Sequence, residues 1–444
     1  MIKTIHEIRD SIHVFVRMDS DERKVLNSRP FQRMRYIHQL ALSYLVYPGA
    51  THRRFEHSLG VMELAGRAFD VVTHAENLVE GVRNQFPEIA NEDTRRYWRR
   101  VVRMAALCHD LGHLPFSHAA EKQLLPGGWT HERLSKELIL SAEMKAIWDG
   151  MTPPLRANDI VKLAVGPFKD KGSKFSNWEA MLSEIIVGDS FGVDRIDYLL
   201  RDSHHTGVGY GKFDHYRLVD NLRILPSPTP GPSAGEEQAE SVLGVEEGGI
   251  HSAEALLLAR YFMYTQVYIH PIRRIYDIHL QEFLSEWLPN RRFSTDLEDH
   301  LRMTDNEALA AMLSADLDKG SNGHGHARRI VRREHFKILY QRQPSDVAVN
   351  PDAAKAVYKA AANKFGADNV RYDEYRGRGG GVSDFPVLTK DERVVSAIAL
   401  SDVLKNLPVT VSETVFIAPN LTKDAKKWLD GNRTQAIEPS AVEE

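Results

Sequence analysis

The sequence predicts a mainly α protein: a helical bundle carrying a small β-hairpin, followed by a smaller C-terminal α+β lobe. Two observations predict it. From Ser20 to about residue 210 the apolar residues recur at helical spacing, and beyond residue 319 strand-like and helical runs alternate. The composition is globular: 444 residues, 42% hydrophobic and 27% charged, supply a real core.

Residues 3–17 alternate apolar and polar through Ile5, Ile8, Ile12, Val14 and Val16, which predicts a short strand or hairpin. One long helix is expected over 53–85, because Val61, Leu64, Ala68 and Val72 follow His57 at steps of four, three, four and four. His57 therefore faces the interior. A second helix, about 92–111, sets Trp98, Val102, Ala105 and His109 on one face and stops at Leu111–Gly112, with Pro115 beyond. Thr130 can cap a third, about 131–148. In a fourth, about 190–203, Asp194, Tyr198 and Asp202 form one polar stripe at i, i+4 steps.

The Pro/Gly/Ser-rich stretch 226–249 reads as a surface loop, disordered over 228–239, with Val242–Glu246 pairing as a strand with Asn221–Leu225. Helices are expected over about 252–288 and 291–315. Past 319, HFKILYQ and TVFIAP are strand-like and PDAAKAVYKAAANKFG is a helix; DKGSNGHGHARR and RGRGGGVSDF are loops. The expected organisation is a core of residues 1–318 that includes the 226–249 hairpin and loop. A lobe follows at 319–430, then an unstructured tail at 431–444.

Net charge is −4, so no global basic field draws the chain onto nucleic acid, although RRYWRR at 95–100 and HARRIVRRE at 326–334 are locally basic. The single cysteine, Cys108, excludes an intramolecular disulfide, fits a reducing compartment and is expected in the core. No stretch approaches the ~18 apolar residues of a membrane span, and the N-terminus carries acids early. A cytoplasmic protein is expected.

Four polar clusters carry the chemistry: RFEHS at 54–58, CHDLGHLPFSH at 108–118, WTHE at 129–132 and VDRIDYLLRDSHH at 193–205. His57, His109, Asp110 and Asp194 offer two imidazoles and two carboxylates, a ligand set for a divalent metal. An aspartate on an apolar helix face is costly unless it is paired or coordinating. Arg54, His113, His118, His131 and Arg195 are the cations and proton donors that phosphate chemistry needs. Taken singly, each arginine would be an ordinary surface ion pair; beside metal ligands, guanidinium forks match phosphate oxygens. A phosphohydrolase site is the reading.

This constellation resembles the HD-domain phosphohydrolases, in which H…HD…D holds the metal. It is most similar to the deoxynucleoside triphosphate triphosphohydrolases, in the branch containing the animal SAM-and-HD-domain dNTPase. FQRMRYIHQL at 31–40, YPGATHRRFEHSLGV at 47–61, CHDLGHLPFSH and VDRIDYLLRDSHHTGV at 193–208 carry the resemblance. It runs with gaps from about residue 3 to 290 and more faintly through 330–420. The 444 residues leave no room for the SAM domain, so the resemblance implies the catalytic body, an HD-domain helical bundle.

The resemblance implies that His57, His109, Asp110 and Asp194 bind one metal ion (manganese, iron, magnesium or zinc), with room for a second magnesium on the substrate triphosphate. His118 would protonate the leaving oxygen, with His113, His131 and Glu132 in support. Arg54, Arg195 and Arg260 match triphosphate-binding positions; Gln39, Leu40, Tyr198, Asp202 and Tyr268 match those enclosing the deoxyribose. Ile269 stands where the animal enzyme has a glutamine near the nucleoside, so the base preference stays open. Gln32 and Arg35 fit a nucleotide-activator position between subunits, where Asn27 replaces an aspartate that reads guanine. The implied reaction converts a dNTP to deoxynucleoside and inorganic triphosphate, in a homo-oligomer with the tetramer favoured, serving dNTP pool control or phage defence. Two alternatives remain: another HD phosphohydrolase (a nucleotidase or cyclic-dinucleotide phosphodiesterase), or a non-enzymatic nucleotide or nucleic-acid sensor.

Overall fold

A computed structural model describes residues 5–227, 241–377 and 384–438. The protein is mainly helical, with three small sheets among the described residues. It folds as two compact units, and the single cut expected at 318/319 is not where they divide. The first unit comprises residues 1–263, 293–306 and 381–407; the second comprises 264–292, 307–380 and 408–444.

In the first unit, Ile5–Asp10 pairs antiparallel with Val14–Asp19. Asp10 closes the turn by accepting the Ile12 and His13 amides, each at 2.8 Å. The helix Arg54–Val72 buries His57, Val61, Leu64, Ala68 and Phe69, as the spacing predicts. It stops at Val72, not at 85. The β-branched run Val71–Val72–Thr73 is a poor helix former, and the Thr73 hydroxyl back-bonds to the Phe69 carbonyl at 2.8 Å. The helix Glu92–Cys108 starts where Asn91 accepts the Thr94 amide at 2.9 Å, and it packs along Arg54–Val72.

Thr130 does cap a helix, but the expected 131–148 element is two, His131–Ile139 and Ala142–Asp149. Ser141 starts the second by accepting the Met144 amide. The helix Val193–Thr206 ends on Gly207, whose φ of 78° is left-handed and suits glycine. Leu222–Pro226 pairs antiparallel with Ser241–Glu246, close to the expected register. That sheet then gains Pro386–Leu388, parallel to it through Val245 and Val387, and Val394–Ser396. Residues assigned by sequence to the C-terminal lobe thus complete a sheet of the first unit. The stretch 228–239, where disorder is expected, lies outside the described residues.

The expected helix 252–288 is interrupted. Ile250–Met263 gives way to a π-helical turn at Tyr264–Tyr268, and Pro271 opens the next helix, Pro271–Trp287. In the second unit, Lys337–Gln341, Val411–Ile417 and Val370–Arg376 form an antiparallel sheet with the middle strand at its centre. The helices Ala353–Phe365 and Thr422–Ile437 pack on it through Val357, Ala361, Ala425 and Leu429. The final helix, Thr422–Ile437, runs through the first half of the tail expected to be unstructured; residues 439–444 lie outside the described residues. Among the described residues no helix is long and apolar enough to cross a membrane.

Candidate metal centre

Three helices of the first unit bring His57, His109, Asp110 and Asp194 together. His57 lies in the first turn of Arg54–Val72 and is fully buried. His109 and Asp110 form the turn after Glu92–Cys108, and Asp194 opens Val193–Thr206, where a helix N-terminus favours a carboxylate. His57 Nε2 lies 3.0 Å from Asp194 Oδ1 and 3.7 Å from Asp110 Oδ2. His109 Nε2 lies 3.5 Å from Asp194 Oδ1 and 3.3 Å from Asp110 Oδ1.

The opposite ring nitrogens fix the orientation. His57 Nδ1 meets Asp197 Oδ2 and His109 Nδ1 meets the Ala106 carbonyl, each at 2.8 Å, so both Nδ1–H groups donate. Both Nε2 lone pairs then face the carboxylates. Neither Nε2 makes a well-oriented hydrogen bond, although both are screened from solvent. Ligand nitrogens pinned by their far side and left bare on the near side fit a divalent ion. Ligand atoms of His57, His109 and Asp194 lie within 4.8 Å of one another.

The electrostatics agree. Burial works against a charged His57, yet Asp194 and Asp197 outweigh it and raise its pKa to about 10. His109 is raised too, by Asp110 and Asp194 against burial. Burial opposes ionisation of Asp110, but Arg54, His109 and His113 hold its carboxyl well below the usual range. A field that draws protons onto two imidazoles equally suits a cation that takes their lone pairs.

A second row adjoins the first. His113 Nε2 lies 3.1 Å from Asp110 Oδ1, and the His113 ring stacks on His131 at 4.0 Å. Burial, Arg54 and His131 push His113 well below its ordinary pKa, so it is neutral. Gly112 permits this stacking: a Cβ there would sit 2.1 Å from the His131 carbonyl. His131 Nδ1 is held by Glu121 at 2.8 Å, and Glu132 by Lys169 at 2.8 Å. Next come Phe116 and Ser117, both non-glycine residues with positive φ, 56° and 57°. Asp305 accepts the Phe116 amide at 2.8 Å and also the amide and ring of His38; Arg54 Nε donates to Ser117 Oγ at 2.8 Å. This pinned turn leads into the helix His118–Leu124; the His118 side chain lies outside the described residues.

The expected substrate residues divide. Arg54 is buried and ion-paired to Asp110, a candidate ligand. Arg195 bonds Asp189 at 3.0 Å, while its Nε and Nη1 are buried without an acceptor. Gln39 Oε1 is likewise buried without a partner, and Leu40 is buried beside it. Asp202 is only 2% exposed and meets His52 Nε2 at 2.7 Å, and His52 stacks on His205 at 4.4 Å. Tyr198 shares the Asp194 helix, and Arg260 lies on Ile250–Met263. Tyr268 belongs to the second unit. Of the activator residues, Asn27 is exposed, Arg35 Nε donates to Gln32 Oε1 at 2.9 Å, and the Arg35 guanidinium lies 3.5 Å over Phe55.

Sequence reasoning missed Asp197, His13, Arg201, His52, Glu121 and Asp305. A signal for one pair existed. Asp197 and Arg201 stand at i, i+4 on the same helix as the polar stripe, on the face where charge must be paired to be buried.

Residues 54–164 match the HD domain, so its first helix and its His–Asp turn are the ones just described. The chain belongs to the HD-domain family. Residues 213–370 match the HD associated region. The chain is similar to a crystal structure of a hypothetical protein from Aquifex aeolicus, with TM-score 0.75 and 31% identity over 96% of this chain and 100% of that one. An uncharacterized protein of Methanocaldococcus jannaschii is 34% identical over 75% of this chain and 59% of its own length. The deoxynucleoside triphosphate triphosphohydrolase SAMHD1 of Homo sapiens is 29% identical over 78% of this chain and 56% of its own length. The chain thus spans less than two thirds of these curated relatives.

Proposed function

We propose that the protein is a metal-dependent HD phosphohydrolase that cleaves dNTPs to deoxynucleoside and inorganic triphosphate. The observation that carries the metal part is the pair of bare, buried Nε2 atoms on His57 and His109 facing Asp110 and Asp194. The substrate part rests on the likeness to a relative whose name states that activity. His57, His109, Asp110 and Asp194 would hold a divalent ion, which would supply Lewis acidity for phosphoryl chemistry.

The chain's own residues do the rest. Arg195, whose Nε and Nη1 are buried without an acceptor, is assigned to the phosphate oxygens. Arg54 holds Asp110 and Ser117, and so sets both a ligand and the turn before His118. Water attacks the α-phosphorus and loses its proton to solvent, the bond to the 5′ oxygen breaks, and His118 delivers a proton to that oxygen. Asp110 and His113 flank the site from the His131 side. Gln39, Leu40, Tyr198 and Asp202 are assigned to the deoxyribose, and Gln32, Arg35 and Asn27 to an activating nucleotide between copies of the chain.

Incubating the purified protein with each dNTP, singly and mixed, with manganese or magnesium tests this. The expected products are deoxynucleoside and intact triphosphate by ion-exchange chromatography. Release of orthophosphate or pyrophosphate would instead identify another member of the HD phosphohydrolases. Turnover only in mixtures would establish activation.

A further inference from the structure

Behind His57 lies a closed polar network of which the metal reading above uses only the Asp197–His57 bond. Asp197, fully buried, spends both carboxylate oxygens. Oδ2 accepts His57 Nδ1 and Arg201 Nε, each at 2.8 Å; Oδ1 accepts His13 Nε2 at 2.7 Å and Arg201 Nη2 at 2.9 Å. Arg201 is completely buried and reaches Asp10 Oδ2 through Nη1 at 2.9 Å. Asp10 and His13 are the two ends of the N-terminal hairpin turn, joined by the His13 amide on Asp10 Oδ1. Gly60 is the cradle: a Cβ there would stand 1.9 Å from Asp197 Oδ1 and 2.5 Å from Arg201 Nη2.

We propose that Asp197 is a positioning residue for the metal centre, and that the N-terminal hairpin, through His13 and Asp10, locks it in place. A carboxylate on the far nitrogen fixes a ligand imidazole's tautomer and rotation and strengthens its donor lone pair. Asp197 cannot hold His57 alone without leaving a second oxygen buried and unsatisfied, a cost that His13 and Arg201 remove. The hairpin therefore contributes to metal affinity from the far side of the helix, without touching the ion. This rests on the ligand assignment above, and not on the substrate.

The test is manganese affinity measured by electron paramagnetic resonance titration, without nucleotide, in the full chain. Asp197→Asn presents an amide where His57 and Arg201 both donate, and should weaken Mn²⁺ binding ~10- to 100-fold with the helical circular dichroism retained. His13→Gln should weaken it in the same direction by a smaller factor, and carries the test alone should Asp197→Asn fail to fold. Ile5→Ala, on the same hairpin but 58% exposed, should leave affinity unchanged. Folded variants of Asp197 and His13 within twofold of the wild-type Kd would overturn the proposal. So would an Ile5→Ala loss as large as theirs, which would mark general hairpin destabilisation. Because no nucleotide is present, a chain that hydrolyses some other phosphate ester would still give the expected result.

Discussion

Each compact unit holds a cluster of two histidines around a carboxylate, and their hydrogen bonds set them apart. In the first unit, His57 and His109 donate through Nδ1 to protein oxygens and keep Nε2 bare. In the second unit, Glu282 sits between His279 Nδ1 at 3.2 Å and His326 Nδ1 at 2.9 Å. There His279 Nε2 accepts the Phe336 amide at 3.3 Å, so Nδ1 carries the proton and donates to Glu282. A metal on that Nδ1 would force a proton onto Nε2, against the Phe336 N–H. Arg371 also pairs with Glu282, and Arg329 lies 3.0 Å from His326. Similar residue types make a candidate ligand set in one place and an ion network in the other. Residue identity does not separate them; the engagement of the far ring nitrogen does.

The largest expected difference is catalytic. His109→Ala with Asp110→Ala should abolish triphosphate release while far-UV circular dichroism stays helical; retained turnover would refute the site. Next is the paired arginine of each cluster. Arg54→Ala removes the guanidinium paired with the buried Asp110 and should cost ~3–5 kcal/mol in denaturant unfolding. Arg371→Ala, in a pair about a quarter exposed, should cost no more than ~1 kcal/mol. Equal losses would erase the contrast between the clusters.

Saturating Mn²⁺ at about 100 times Kd should stabilise the wild type by ~2.7 kcal/mol, and His279→Gln equally, but not the His109/Asp110 double variant. Loss of the shift in His279→Gln would make the second cluster a metal site. The smallest effect is in pH. Burial, with Arg329 and His326 adding to it, lowers His279 to about 4, against an ordinary 6.5. The unfolded chain thus binds the extra proton first. The stabilisation is complete above pH 6.5 and is lost as pH falls from there toward 4. Between pH 7 and 5 the wild type should lose ~2 kcal/mol more than His279→Gln in urea unfolding.

Local periodicity made much of this fold legible. Val61, Leu64, Ala68 and Val72 placed the first helix of the bundle and turned His57 inward, and Asn221–Glu246 yielded its hairpin. Helix ends were less legible, because the stop at Thr73 and the break at Ser141 depend on single hydroxyls. Long-range pairing was not legible at all: nothing near Val387 says that it will lie beside Val245. The same division runs through the candidate site. The candidate ligand residues stood out as unusual residues on apolar faces, whereas Asp197, His13 and Asp305 act through partners far away in sequence.

Asp305 carries a consequence for how the protein is made. The turn at Phe116–Ser117 is held in its left-handed conformation by a carboxylate that the ribosome adds almost two hundred residues later. A nascent chain ending near residue 292 would already contain every candidate ligand, yet Phe116 would have no anchor and the 222–246 sheet no third strand. Such a chain has helices but no finished pocket. The centre should therefore mature late in synthesis, once the downstream segments have returned to close it.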